Sequence, residues 1–192
     1  MGKIDIPFGK RVFDVVVSVL LTILFSPVII FIVFAMTIES IFVSDSRGSF
    51  LYKQKRISQG KEFTLYKIRI FKTEPLENAK NGNGHVHTKK LEHNRENLTH
   101  TGSFLKKVYL DELGQFINVL KGDMSLVGPR PKTVDDYERL IAEGYKSLTL
   151  LKAGITGYFQ SHKGLKLSLN QEQIDMQYAD FLKRSSTWKV LF

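Results

Sequence analysis

The chain has 192 residues, a formal net charge of +9 and no cysteine. That length fits one ordinary domain with an appended element, and the missing cysteine excludes disulfides, thiolate catalysis and cysteine-ligated zinc. Lys3, Lys10 and Arg11 cancel Asp5, Asp14 and Glu39 within residues 1–40, so the whole excess of positive charge belongs to the remainder. Such a remainder points to a polyanionic neighbour: nucleic acid, an anionic membrane surface or a phosphorylated substrate.

Residues 15–38, VVVSVLLTILFSPVIIFIVFAMTI, contain no charged side chain. A helix of that length reaches about 36 Å, enough to cross a hydrocarbon core of about 30 Å. A domain this small cannot wrap so long an all-apolar helix, which argues against a buried core element. The run is too long for a cleaved signal, and no small-x-small site follows it. Ser26-Pro27 falls near its middle. Proline removes one helical hydrogen bond and crowds the preceding turn, so a kink or break is predicted there. Lys10 and Arg11 precede the run and the basic remainder follows it. Positive flanks on both sides favour a re-entrant helix, entering and leaving by one face, over a kinked spanning one. Asp14 lies one turn from Lys10 and Arg11, where pairing lowers its cost of burial.

Residues 50–69, FLYKQKRISQGKEFTLYKIR, read as a β-hairpin turning at Ser58-Gln59-Gly60. Lys53, Lys55, Arg56, Lys67 and Arg69 fall along its arms. They form either a solvated or lipid-facing ribbon or, in part, a phosphate-binding set. Residues 74–100 are polar and carry His85, His87, His93 and His100. Asn-Gly-Asn-Gly marks a loop, and solvated histidines fit it better than a metal site does. Residues 132–151 and 170–184 each support a helix, with apolar stripes at Tyr137, Leu140, Ile141 and Leu148 and at Ile174, Tyr178, Phe181 and Leu182. Neither GxxxxGK[ST], GxGxxG nor G-x-S-x-G occurs.

The chemistry concentrates in residues 109–131, YLDELGQFINVLKGDMSLVGPRP. Leu113, Phe116, Ile117 and Leu120 give one apolar helix face, and Gly122 is placed to end it. Asp111 and Glu112 then stand at the helix start. Capping explains an acidic residue there. The chemical alternative is that both carboxylates meet a phosphate ligand. An ionised carboxylate can attack phosphorus, and its neighbour can hold Mg2+, which needs only one or two protein carboxylates plus phosphate oxygens. Pro129 and Pro131 restrict Arg130 to an extended conformation, which lowers the entropy lost when a guanidinium forks onto phosphate.

The stretch LDELGQFINVLKGDMSLVGPRP closely resembles the signature of the bacterial sugar transferases, the monotopic polyprenol-phosphate phosphoglycosyl transferases. The resemblance extends to KRVFDVVVSVLLTILFSP, YKQKRISQGKEFTLYKIR, LTHTGSFLKKVYLDEL, KAGITGYFQ and DMQYADFLKRSSTWKVL. It implies an α+β, mainly helical monotopic membrane protein: a re-entrant membrane helix over residues 1–40, broken at Ser26-Pro27, and a catalytic domain with one β-hairpin over 41–192. It implies a place at the cell inner membrane, on its cytoplasmic face, against an anionic membrane surface. The implied reaction moves a phosphosugar from a UDP-sugar to polyprenol phosphate and releases UMP, initiating glycan assembly. Asp111 is then the nucleophile that forms a phosphosugar-aspartyl intermediate, and Glu112 the Mg2+ ligand. Lys67, Arg69, Lys106 and Arg130 are the expected phosphate-binding set, with Arg130 held in the Pro129–Pro131 motif. A homo-oligomer is a further expectation.

The sequence departs from the family pattern in places. Gly114 stands where proline is usual, and glycine is expected to loosen the turn by roughly 1 kcal/mol. Lys106 replaces an arginine and loses its bidentate fork. Ser58 replaces a turn glycine, and Ala153 a proline. Two rival readings are a catalytically silent membrane scaffold and a membrane-tethered nucleic-acid binder. The second lacks a groove-reading motif or an aromatic-basic array, so nucleic acid is not an expected partner.

Overall fold

A computed structural model describes residues 2–78, 88–157, 159 and 170–184. In chain order the elements are α1 (Phe8–Phe42), β1 (Leu51–Ser58), β2 (Lys61–Ile68), α2 (Thr73–Asn78), α3 (Thr88–His93), α4 (His100–Lys107), a 3-10 turn (Leu110–Gly114), α5 (Gln115–Lys121), β3 (Ser125–Val127), α6 (Val134–Ala142), α7 (Ser147–Leu150), β4 (Gly154–Thr156) and α8 (Gln171–Arg184). The class is the α+β, mainly helical one expected. Contacts divide the chain into two units.

The first unit comprises Met1–Leu20, Lys55–Thr64 and Phe116–Phe192. Here β3 and β4 pair in parallel, Ser125 opposite Gly154 and Val127 opposite Thr156. Ile4, Leu150, Leu151, Ala179 and Leu182 form its apolar cluster. The start of α1 is tied in by polar groups. Lys10 Nζ lies 3.1 Å from Asp14 Oδ2 and also donates to the Ser125 hydroxyl, which donates to Asp14 at 2.7 Å. All three side chains are buried. Arg11 donates to the carbonyls of Val119 and Leu120 at the end of α5, at 2.6 and 2.9 Å. The hairpin turns through Gln59 and Gly60, with φ of 52° and 70°. Positive φ at both central residues matches the right-handed twist of the strands. Ser58 is occupied: its hydroxyl donates to Asp123 O at 2.7 Å and accepts from Ala153 N at 3.0 Å.

The second unit comprises Leu21–Gln54 and Leu65–Gln115. Its core joins Ile32 and Met36 of α1 to Ile68, Ile70, Phe71, Leu76, Leu98 and Leu105. Glu39 accepts the backbone amides of His100 and Thr101 at 2.7 and 2.9 Å and the Ser46 hydroxyl at 2.9 Å. Those amides are the otherwise unpaired donors of the first turn of α4.

Four expectations are modified. α1 remains helical through Pro27, so no break appears at Ser26-Pro27. Proline cannot donate to the carbonyl four residues back, and that oxygen, on Ile23, instead accepts the Ser26 hydroxyl at 2.7 Å. The polar segment before α4 is not a continuous loop, since it carries α2, α3 and a short 3-10 turn at Arg95–Asn97; His85 and His87 lie outside the described residues. The helix expected over 132–151 is two helices, with Gly144 at φ +93° between them. The face of α5 is also inverted. Gln115, Asn118 and Val119 are buried, whereas Ile117 and Leu120 are both 37% exposed. Burial of polar Asn118 is possible because its amide donates to Thr64 O at 2.7 Å and to Asp123 at 3.2 Å. Of the expected stripe, Leu113 packs against the core of the second unit and Phe116 is half-buried, so only Ile117 and Leu120 lie outside the core.

α1 is the one helix among the described residues long and apolar enough to cross a membrane. Its outer side chains include Leu20, Ile23, Leu24, Ile30, Phe31 and Phe34, all more than half exposed.

Candidate active site

β2 presents Lys67, and the 3-10 turn after α4 presents Asp111 and Glu112. The chain enters that turn through Tyr109, which adopts a left-handed conformation at φ 59°. A non-glycine residue there costs roughly 1–2 kcal/mol, and it redirects the backbone between α4 and the turn. Glu112 N donates to Tyr109 O at 3.3 Å. Asp111 and Glu112 therefore sit in a tight 3-10 turn ahead of α5, not in the first turn of an α-helix, and Asp111 is not its cap.

Lys67 Nζ lies 3.0 Å from Asp111 Oδ2 and 3.6 Å from Glu112 Oε1. The side chains of Asp111, Lys67 and Glu112 are 7%, 19% and 23% exposed. One ammonium thus serves two adjacent carboxylates at the edge of a largely buried position. Coulomb attraction is stronger here than on an open surface, and Glu112 is the more exposed of the two carboxylates. The partly exposed Glu112 carboxylate suits a hard divalent cation that completes its shell with phosphate and water, whereas Asp111 is buried against Lys67.

The turn is seated by Gly114, which is buried. A Cβ on Gly114 would lie 2.8 Å from Tyr66 O, 2.9 Å from Tyr66 C and 3.0 Å from Lys67 Cα. The expected looseness at Gly114 is therefore replaced by close backbone contact, which only a residue without a side chain permits.

The other expected phosphate binders are placed differently. Arg69 is buried, and its guanidinium donates to the carbonyls of Ser49, Phe71 and Ser46 at 2.9, 2.8 and 2.6 Å. It braces the segment between α1 and β1. Lys106 Nζ donates to Glu92 O. Arg130 is exposed in the first unit, between buried Pro129 and half-buried Pro131. The structure thus gathers Lys67, Asp111 and Glu112, and it gives Arg69 and Lys106 backbone partners. Tyr109 and the Gly114 contact escaped sequence reasoning, because no local pattern signals a left-handed tyrosine or a turn packed on a distant strand.

The fold and the site together define an α+β protein with one long apolar helix and a lysine-paired Asp-Glu turn. The chain belongs to the bacterial sugar transferase family, whose profile matches residues 6–192. It is 35% identical to the UDP-glucose:undecaprenyl-phosphate glucose-1-phosphate transferase of Escherichia coli, over 95% of this chain and 37% of that protein. It is 35% identical to the undecaprenyl-phosphate galactose phosphotransferase of Salmonella typhimurium, over 83% of this chain and 34% of that one. An uncharacterized sugar transferase of Bacillus subtilis is 36% identical over 89% of this chain and 77% of its own length. The chain thus spans a little over a third of the length of the two named transferases.

Proposed function

We propose that this chain is a phosphoglycosyl transferase that moves a phosphosugar from a UDP-sugar to a polyprenol phosphate. The observation that carries the reading is the lysine-bridged pair, Lys67 at 3.0 Å from Asp111 and 3.6 Å from Glu112. The substrates named for the relatives support the substrate class.

In the first step an Asp111 carboxylate oxygen attacks the β-phosphorus of the UDP-sugar. The bond from that phosphorus to the bridging oxygen breaks, and UMP leaves with it. A phosphosugar remains esterified to Asp111. In the second step a phosphate oxygen of the polyprenol phosphate attacks the same phosphorus. The bond to Asp111 breaks, which frees the carboxylate and gives polyprenyl-diphosphate-sugar. Lys67 orients Asp111 and offsets the negative charge that gathers as anion meets anion. Glu112 would hold Mg2+, which supplies further neutralisation of the diphosphate. Arg130, stiffened by its flanking prolines, is assigned to substrate phosphate.

The membrane reading is supported by the apolar outer side chains of α1 and by the basic residues on both sides of its charge-free stretch. Positive flanks on both sides favour entry and exit by one face of a membrane, and the basic remainder favours the cytoplasmic face and an anionic lipid surface.

The direct test incubates a panel of UDP-sugars with a short polyprenol phosphate and Mg2+ and measures UMP. Release that requires one or a few UDP-sugars, and that falls sharply in Glu112→Gln, is the expected result. No release with any sugar would leave the silent-scaffold reading.

A further inference from the structure

We propose that Gly114 is a positioning residue: its backbone contact with β2, rather than the Lys67–Asp111 ion pair, fixes the Asp-Glu turn in register with Lys67. The inference rests on the reading of Asp111 and Glu112 as the reacting pair. The contact is made with the peptide joining Tyr66 to Lys67, the residue that carries the ammonium. A Cβ on Gly114 would meet Tyr66 O at 2.8 Å and Lys67 Cα at 3.0 Å. Ordinary contact at such a position begins near 3.4 Å. Both obstacles are backbone, so no side-chain rotation relieves them. Any side chain at 114 must push the turn and β2 apart by several tenths of an ångström.

Asp111 lies three residues before Gly114 in the same 3-10 turn, and side chains at i and i+3 in such a turn are aligned. A displacement at 114 is therefore passed to the carboxylate that faces Lys67 across 3.0 Å. Ion pairs are soft and re-form over a range of geometries, whereas close-packed backbone is not. That difference makes the glycine contact the better candidate for setting register.

The test is a double-mutant cycle in UMP release, using Gly114→Ala and Lys67→Met in the full-length, membrane-reconstituted chain. Each single change should lower kcat by about 10- to 100-fold, since misplacement on this scale costs that much. The double variant should fall within about twofold of the worse single, because both changes remove one arrangement. Losses that multiply would mean that Gly114 supports folding alone, and would overturn the proposal. Should Gly114→Ala not fold, Lys67→Met by itself decides by hydrogen exchange. With Gly114 seating the turn, the amides of residues 110–115 should keep their protection when the ammonium is lost. Faster exchange there would make the ion pair the seat and would equally overturn the proposal. The exchange readout does not depend on turnover, so a wild-type chain that releases no UMP would count against the proposed reaction and not against the contact.

Discussion

The Ser26 hydroxyl donates to the carbonyl of Ile23 at 2.7 Å, and Ile23 is the residue whose oxygen Pro27 cannot serve. A helix in lipid must satisfy its backbone internally, since an orphaned carbonyl costs several kcal/mol. Ser26 and Pro27 thus act as a pair. Ser26→Ala alone should lower the thermal midpoint of the reconstituted protein by several degrees. Ser26→Ala with Pro27→Ala should recover most of that loss, because the alanine amide at 27 again serves Ile23. A double variant no better than Ser26→Ala would mean that the hydroxyl is incidental.

Topology gives the second prediction. A cysteine introduced at Gly2 stands alone, since the chain has no other. In intact cells it should be protected from a thiol reagent that cannot cross the membrane, and become labelled once the membrane is opened. Labelling in intact cells would put the N-terminus outside and contradict the one-faced insertion of α1.

Asp175 gives the third. It is buried in α8, and that burial pushes its carboxyl up to about 6; nearby Glu172 adds to the shift, and a hydrogen bond from Gln171 and the charge of Lys132 oppose it. A carboxyl raised in the folded state favours folding when protonated. Its contribution is complete below the ordinary value near 4 and is lost as pH rises through about 6. Asp175→Asn should therefore be more stable than the parent at pH 8, by up to about 3 kcal/mol for a shift of about two units. The advantage should vanish near pH 4. Equal thermal midpoints at pH 8 would contradict this account.

Much of the fold was legible because its signals are local. The charge-free run of α1, the hairpin over 50–69 and the terminal helix at 170–184 are set by composition and periodicity; the hairpin and the terminal helix appear within a residue or two of their expected bounds, while α1 extends beyond the run of residues 15–38 to Phe8–Phe42. The proline break was not legible, because its outcome turns on one hydroxyl reaching one carbonyl. The face of α5 failed for a related reason. Its polar Asn118 is buried by hydrogen bonds to Thr64 and Asp123, which no count of apolar residues anticipates. At the candidate site, adjacent Asp111 and Glu112 were visible as a pair, but Lys67 was read as a phosphate binder and its pairing with the two carboxylates was not foreseen. Arg69 was visible only as a charge, and its three backbone acceptors come from segments that sequence reading does not bring together.

The central claim is that Asp111 carries the phosphosugar. Intact-protein mass after incubation with the UDP-sugar that supports turnover, without polyprenol phosphate, tests it most directly. The account predicts a mass increase equal to one phosphosugar, its removal on adding polyprenol phosphate, and its absence in Asp111→Asn. An adduct of the same mass that persists in Asp111→Asn would place the nucleophile on another residue and contradict the account.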